Sequence, residues 1–163
     1  MNRASPYRVL FVCMGNICRS PAGECVMRHL AAKSGAGHLV ECDSAGTIDL
    51  HTGNPPDTRM RRTAEKRGIP ITGAARQIQA EDLGRFDLIL TMDADNRAYV
   101  DQLVTSAGGR AELKNFCDLC RTHEGYQDVP DPYYGGQDGF ELVLDLLEDG
   151  CAELLEEIRG RSS

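Results

Sequence analysis

The sequence lacks three features that would each place it in a special class of protein. It has no run approaching the ~20 apolar residues of a membrane-spanning helix, so we expect no membrane partner. It has no basic excess, since its 163 residues carry a net charge of −7, which argues against a nucleic-acid partner. Residues 1–6 lead toward a strand pattern without the apolar region of a secretory signal, so we expect a cytoplasmic protein.

The cysteines also lack the pattern of a disulfide scaffold. There are seven of them, an odd number, and they are irregularly spaced in a chain longer than most disulfide-rich secreted domains. We therefore expect mainly reduced thiols. The length predicts a single domain over residues 1–163. We found no internal repeat and no strong oligomerisation seam, so a monomer is the default expectation.

The chain does contain an alternation of short apolar runs and helical patterns. Strands are predicted at 8–12, 39–44, 86–92 and 111–117, and helices at 21–34, 57–67, 93–107 and 138–159, with a helical turn at 81–83. This order predicts a three-layer, Rossmann-like α/β fold with a central four-stranded parallel sheet flanked by helices. Residues 121–137 show no helical or strand periodicity and are predicted to form a long loop. Loops of that length are usually functional.

The most informative segment joins the first strand to the first helix and reads Cys13-Met14-Gly15-Asn16-Ile17-Cys18-Arg19-Ser20-Pro21. Ligands of parallel sheets bind beyond the carboxyl ends of the strands, which is where Cys13 lies. Gly15 and Asn16 tolerate left-handed backbone, so successive N–H groups can turn inward around an anion. We expect Ser20 to cap the helix and Pro21 to occupy its first position.

The chemistry of this segment favours a phosphate site. A helix N-terminus and the planar guanidinium of Arg19 can hold the oxygens of a phosphate. The same positive field favours the thiolate of Cys13, which is then a nucleophile without a separate base. The alternative, a strand-end cysteine followed by a surface arginine, does not account for the Gly-Asn pair inside the loop or the Ser-Pro pair after it.

Two segments carry a specific resemblance to a known family. The stretch 9–21 resembles the N-terminal signature of the low-molecular-weight protein tyrosine phosphatases, and Asp131-Pro132-Tyr133-Tyr134-Gly135-Gly136 resembles their second signature. Three segments between them also lie where the family has similar ones: Asp43-Ser44-Ala45-Gly46, Ala75-Arg76-Gln77 and Met92-Asp93. The resemblance covers essentially the whole chain, and we expect neither a cofactor nor a metal.

The resemblance implies a two-step hydrolysis of phosphotyrosine in proteins and of small aryl phosphates. Cys13 would be the nucleophile that becomes a phosphocysteine, and Arg19 would bind the phosphate and the transition state. Asp131 would protonate the leaving phenol and then activate water, the task that a positioned carboxyl group performs in such reactions. Without the cysteine loop, an Asp-Pro pair would indicate only a turn.

The resemblance also implies roles around these three residues. The phosphate-binding loop would contain Met14, Gly15, Asn16, Ile17, Cys18 and Ser20, with Asn16, Ser20 and Ser44 holding its shape and the thiolate. Leu50, Tyr133 and Tyr134 would form the substrate cleft. Cys18 would form a reversible disulfide with Cys13 under peroxide and protect it from over-oxidation.

Two residues depart from the family pattern. Leu50 stands where many members carry an aromatic residue, so the cleft wall is apolar but offers no ring for stacking. Gly73 stands where some members have a histidine that supports the loop, so the support of Asn16 and Ser20 must differ here.

Other functions remain open as alternatives. A protein-arginine phosphatase of the same family would carry threonine where this chain has Ile17. An arsenate reductase of the same fold needs further cysteines around the third strand, and residues 78–110 contain none. A non-catalytic phosphate-binding module would need a broken catalytic set. Cys117, Cys120 and His123 suggest a metal site, but a structural zinc site needs four ligands, and two thiols at a strand end fit the spacing better.

Overall fold

The computed structural model describes residues 5–132 and 135–162. Its strands are β1 Tyr7–Cys13, β2 Val40–Gly46, β3 Leu88–Thr91 and β4 Glu112–Asn115. Its helices are α1 Arg19–Lys33, α2 Thr58–Glu65, α3 Asp82–Arg85, α4 Ala94–Ala107 and α5 Gln137–Ser162. Two short 3₁₀ helices, Gly37–Leu39 and Phe116–Leu119, precede β2 and follow β4.

The four strands form one parallel sheet in the order β2-β1-β3-β4. The predicted α/β architecture is confirmed. β1 lies inside the sheet and pairs with β2 over its whole length, Tyr7 opposite Val40 and Cys13 opposite Gly46. A strand paired on both sides and covered on both faces is apolar throughout, which explains the continuous Val-Leu-Phe-Val run at 9–12.

Side chains of β1 alternate between two core clusters because successive residues of a strand point to opposite faces. Val9 and Phe11 pack with buried residues of α1 and α5. Leu10 and Val12 pack with buried residues of α3 and α4. Full burial of each such side chain contributes about 1.5–3 kcal/mol to folding. The sheet is therefore fixed between two helical layers, and the end of β1 is a rigid platform.

Helix starts were predicted with mixed success. Asp57 caps α2 by accepting hydrogen bonds from the N–H groups of Arg59 at 2.8 Å and Met60 at 3.3 Å, as the sequence predicts. The predicted cap at Ser20 is wrong: α1 begins at Arg19, its N-cap position is Cys18, and no side chain caps it. Pro21 accordingly lies two residues later in the helix than expected.

The strand ends also differ in places. β4 ends at Asn115 rather than at 117, because the chain turns there into the 3₁₀ helix Phe116–Leu119. β3 covers only Leu88–Thr91 of the predicted 86–92. Within the residues that the structure describes, no helix combines the length and the apolar character needed to cross a membrane.

Candidate active site

The loop between β1 and α1 is held tightly against the end of β2. Asn16 has φ +57° and is the only non-glycine residue with positive φ in the described part of the chain. A Cβ at Gly46 would lie 2.6 Å from the carbonyl oxygen of Met14, so only glycine permits this approach. The N–H of Thr47 donates to the carbonyl oxygens of Cys13 and Met14, both at 3.0 Å. The neighbouring strand thus fixes the loop backbone.

The Cys13 thiol lies at the base of this loop. The side chain is buried, with 3% exposure. Its Sγ accepts a hydrogen bond from the backbone N–H of Asn16 at 3.3 Å and lies 3.0 Å from the hydroxyl oxygen of Ser20. The Ser20 hydroxyl therefore lies beside the thiol, and Ser20 cannot be the N-cap because it is already the second residue of α1.

Asn16 organises the residues behind the loop. Its Oδ1 accepts the N–H of Arg76 at 2.9 Å, which fixes the direction of the amide. Its Nδ2 donates to the hydroxyl oxygens of Ser20 at 2.8 Å and Ser44 at 2.9 Å. Because both hydroxyls accept from this amide, each is left to donate its own hydrogen onward. Ser44 donates to Glu24 Oε1 at 2.7 Å.

Two acceptors lie within reach of the Ser20 hydroxyl. They are Cys13 Sγ at 3.0 Å and the carbonyl oxygen of Ala45 at 3.4 Å. Either Cys13 or Ser20 can donate in the shorter contact, but a sulfur that has lost its proton can only accept, so the Ser20 hydroxyl then donates to it. Asn16 therefore directs two donors at the sulfur, its own N–H and the Ser20 hydroxyl.

Arg19 is the first residue of α1 and is almost completely buried, with 3% exposure. Its Nη1 donates to Asp93 Oδ2 at 2.6 Å and to the carbonyl oxygen of Val129 at 3.0 Å. Its Nη2 lies 3.6 Å from Asp131 Oδ2. Burial disfavours the guanidinium cation, but the charges of Cys13, Asp93 and Asp131 outweigh it and raise the pKa of Arg19. The surface-arginine alternative is wrong.

The thiol, the guanidinium and the Asp131 carboxylate meet in one cavity of about 150 Å³. Its lining residues are Cys13, Met14, Gly15, Ile17, Cys18, Arg19, Ile48, Leu50, His51 and Asp131. The structure thus brings together residues that lie more than one hundred positions apart in the sequence. Leu50 is 74% exposed and lies at the rim. Tyr133 and Tyr134, the other two predicted cleft residues, lie outside the described residues.

Cys18 lines the same cavity as Cys13 and is also buried. Its burial, together with the negative charges of Cys13, Asp57 and Asp131, raises the pKa of the Cys18 thiol well above its usual range. Cys18 is therefore a neutral thiol beside the candidate nucleophile.

Gly73 offers the loop no side chain, and the Ser44 end of the network is supported from α1. A Cβ at Gly73 would have no neighbour within 4 Å, so this position contributes no side chain to the network. The carboxylate of Glu24 accepts the hydrogen bond from the Ser44 hydroxyl, and Arg28 forms an ion pair with Glu24. Arg28 is in turn held by its hydrogen bond to the carbonyl oxygen of Cys42 at 2.9 Å.

Sequence reasoning did not assign roles to three residues of this site. Asp93 follows β3 at the sheet edge where Cys13 lies, so the predicted parallel sheet could have placed it near the loop. Glu24 lies one helical turn after Ser20 on α1, which indicates less clearly that it lies near the loop. His51 has none in the sequence, yet a Cβ at Gly15 would lie 2.9 Å from its Cδ2 atom, so the ring packs directly on the loop.

The side chains of Cys117, Cys120 and His123, the second candidate site, are not arranged as metal ligands in the described residues. His123 Nδ1 lies 3.1 Å from Asp149 Oδ2 and forms its contact there. Across residues 5–132 and 135–162, no group of three or more His, Cys, Asp or Glu side chains is arranged to hold a metal ion.

Comparison with known proteins gives a consistent result. The family model described as low molecular weight phosphotyrosine protein phosphatase matches residues 8–163. A Synechocystis protein with a provisional name in this family is 49% identical over 150 residues, covering 91% of this chain and 94% of its own. The low molecular weight protein-tyrosine-phosphatase of Streptomyces coelicolor is 40% identical over 166 residues, covering 96% and 99%.

A solved structure shows the same fold. YfkJ from Bacillus subtilis superposes with a TM-score of 0.89 at 39% sequence identity, covering 99% of this chain and 100% of its own. The match over nearly the whole chain confirms the resemblance seen in the two signatures. The chain therefore belongs to the low molecular weight phosphotyrosine protein phosphatase family, and it is a phosphatase.

Proposed function

We propose that this protein hydrolyses phosphotyrosine in proteins, and small aryl phosphates, through a phosphocysteine intermediate. The observation that carries the proposal is the convergence of Cys13, Arg19 and Asp131 on one small cavity. A nucleophile, a phosphate-binding cation and a proton donor are the three groups that this reaction requires. Each stands in the cavity with its own supporting contacts.

In the first step the Cys13 thiolate attacks phosphorus, and the bond from phosphorus to the aryl oxygen breaks. Asp131 gives its proton to that oxygen, so phenol rather than phenolate leaves. Arg19 and the N–H groups of the loop hold the equatorial oxygens, where charge develops in the transition state. Arg19 Nη2, which lies 3.6 Å from Asp131 Oδ2, is the guanidinium nitrogen next to the proposed proton donor.

In the second step Asp131, now a carboxylate, takes a proton from a water molecule that attacks the phosphocysteine. The bond from sulfur to phosphorus breaks, and inorganic phosphate and the Cys13 thiolate are regenerated. The hydrogen bonds from Asn16 N–H and Ser20 to the sulfur stabilise the thiolate as a leaving group. The same contacts therefore assist both steps.

Two lining residues favour a phosphotyrosine side chain. Ile17 lines the cavity and offers no hydroxyl to the guanidinium of a phosphoarginine. Leu50 adds an apolar surface at the rim, which suits the ring of an aryl phosphate. A protein-arginine phosphatase and an arsenate reductase are the alternatives that a substrate comparison separates.

The test is turnover of p-nitrophenyl phosphate at mildly acidic pH. We expect Cys13→Ser to abolish turnover and Asp131→Ala to reduce kcat by about 10²–10⁴-fold. Turnover that survives in Cys13→Ser would falsify the mechanism. Parallel assays with phosphotyrosine, phosphoarginine and arsenate assign the substrate, and we expect phosphotyrosine to have the highest kcat/KM.

We also propose that Cys18 protects Cys13 during oxidation. Peroxide would convert the Cys13 thiolate to a sulfenic acid, and the Cys18 thiol would attack that sulfur and release water, leaving a disulfide. Trypsin places both residues in one peptide, 9–19. We expect this peptide to become two hydrogens lighter after peroxide and to recover with a dithiol. Recovery of only sulfinic or sulfonic Cys13 would contradict this role.

A further inference from the structure

The segment Cys117-Asp118-Leu119-Cys120 has no part in the proposed reaction, yet its backbone brings the two cysteines together. It forms most of the 3₁₀ helix after β4, and the N–H of Cys120 donates to the carbonyl oxygen of Cys117 at 3.1 Å. A turn closed in this way keeps the Cα atoms of its first and fourth residues within about 7 Å. Disulfides require Cα atoms about 4.4–6.8 Å apart, so the turn suits a bond between the two sulfurs.

Both thiols are free and buried. Cys117 and Cys120 line a cavity of about 710 Å³ that α4, β4 and residues 124–128 also border. Cys120 Sγ donates to the carbonyl oxygen of Leu146 on α5 at 3.5 Å. The cavity is separate from the phosphate-binding cavity, since no residue lines both.

The backbone that follows the turn is anchored to α5. The carboxylate of Asp149 accepts the N–H groups of Arg121 at 3.1 Å, Thr122 at 3.0 Å and His123 at 2.8 Å. The preceding backbone belongs to β4, which pairs with β3. The backbone is therefore fixed on both sides of the turn, and the turn itself keeps Cys117 and Cys120 close together.

The two thiols are chemically unequal. The neighbouring Cys120 side chain lowers the pKa of Cys117, despite burial and the nearby charges of Asp128, Asp118 and Asp149. The same pairing, reinforced by burial, raises the pKa of Cys120 far above its usual range. Because peroxides react with thiolates rather than thiols, Cys117 is the residue that reacts first and Cys120 keeps its proton.

We propose that Cys117 and Cys120 form a second site of reversible oxidation, for which hydroperoxides are the oxidant. The Cys117 thiolate attacks the terminal peroxide oxygen and the O–O bond breaks to give a sulfenic acid. Hydroxide leaves from hydrogen peroxide, and an alkoxide leaves from an organic hydroperoxide. The Cys120 sulfur then attacks the sulfenic sulfur, the S–O bond breaks, and the Cys120 proton leaves with the oxygen as water. A dithiol reductant restores both thiols by exchange.

The test follows one peptide. Trypsin cuts after Lys114 and Arg121, so peptide 115–121 contains Cys117 and Cys120 and no other cysteine. Wild type and Cys13→Ser would be treated with graded hydrogen peroxide, alkylated and digested. We expect peptide 115–121 to escape alkylation and become two hydrogens lighter in both proteins, and to recover full alkylation after dithiothreitol. Persistence in Cys13→Ser separates this site from the phosphatase reaction.

Internal and matched controls make the result specific. Peptide 34–59 contains only Cys42, a buried cysteine, and should remain alkylated throughout. Cys120→Ser should leave Cys117 as a sulfenic acid that dimedone labels, whereas Cys117→Ser should leave Cys120 unmodified. The proposal is overturned if peptide 115–121 stays fully alkylated in wild type at peroxide concentrations that oxidise peptide 9–19. Accumulation of sulfinic Cys117 in wild type would also overturn it.

Discussion

Arg19 and Asp93 lie 74 residues apart in the chain and are joined by a 2.6 Å hydrogen bond from Nη1 to Oδ2. The other carboxylate oxygen of Asp93 accepts the N–H of Asn96 at 2.9 Å and caps α4. One carboxylate therefore attaches the guanidinium at the start of α1 to the start of α4. Asp93 does not line the cavity that contains Cys13, Arg19 and Asp131, so we infer that it acts by positioning Arg19.

The first prediction concerns Asp93→Asn. Asparagine can still cap α4, but it loses the charged partner of Arg19, an interaction worth about 1.5–3 kcal/mol. We expect kcat/KM for p-nitrophenyl phosphate to fall by about 10–100-fold and the inhibition constant of inorganic phosphate to rise. The control is Asp95→Asn, an exposed residue in the same helical turn. Equal kinetics in the two variants would rule out the positioning role.

The second prediction concerns the contact between β2 and the loop. In Gly46→Ala the new Cβ would meet Met14 O at 2.6 Å and Asn16 at 3.1 Å, so the loop backbone must shift. A shift of about 1 Å can cost a hundredfold in rate. We expect kcat to fall by about that factor. Gly84→Ala, where a Cβ meets nothing within 4 Å, should keep wild-type kcat. Circular dichroism should show the helices and strands retained in both.

The third prediction concerns the apolar rim at Leu50. Leu50→Trp introduces a ring at an exposed position that borders the cavity. Aromatic pairs contribute about 0.5–1.5 kcal/mol beyond area burial, so we expect KM for p-nitrophenyl phosphate to fall roughly two- to tenfold. An alkyl phosphate of similar size is the matched substrate and should show a smaller change. An equal gain for both substrates would contradict ring stacking.

The fourth prediction concerns the acid stability that Asp149 confers. Burial alone would raise the pKa of this carboxyl, but the N–H groups of Arg121, His123 and Thr122 outweigh it and lower the pKa. A carboxyl whose folded pKa lies below its unfolded value stabilises the protein above the unfolded value, near 3.9. That contribution disappears as pH falls through the folded value.

Asp149→Asn should therefore lower the free energy of unfolding by about 1–3 kcal/mol at pH about 7. The difference from wild type should shrink as the pH is taken below about 4. Urea unfolding at both pH values measures it. Glu156→Gln, on the exposed side of α5, is the control and should change little at either pH. A difference that grows in acid would contradict the sign of the shift.

Local sequence was sufficient to predict the elements that local chemistry decides. The apolar run at 9–12 and the Gly15–Asn16 pair predicted β1 and the left-handed loop residue, and Asp57 predicted the cap of α2. Each of these signals acts over a few residues. The sequence allowed two roles for Ser20, a cap of the helix and a partner of the thiol. Only the folded loop distinguishes them.

The contacts that sequence reasoning missed are all long-range. Asp93 reaches Arg19 because β3 lies beside β1 in the sheet, and the strand order was not readable from periodicity. His51 packs on Gly15 because the segment after β2 folds back over the loop. Such placements depend on how elements register with one another, and composition or spacing within one element does not encode that register.

The placement of β1 inside the sheet has a consequence for how the enzyme is made. Arg19 is held by Asp93 and by the carbonyl of Val129, and the cavity is lined by Asp131. A chain synthesised only as far as β3 therefore contains Cys13 but lacks three groups of the proposed site. Distant contacts of this kind form late in folding because loop closure must come first. Under the proposed mechanism, a truncated or partly folded copy would therefore have no phosphatase activity until nearly the whole chain is in place.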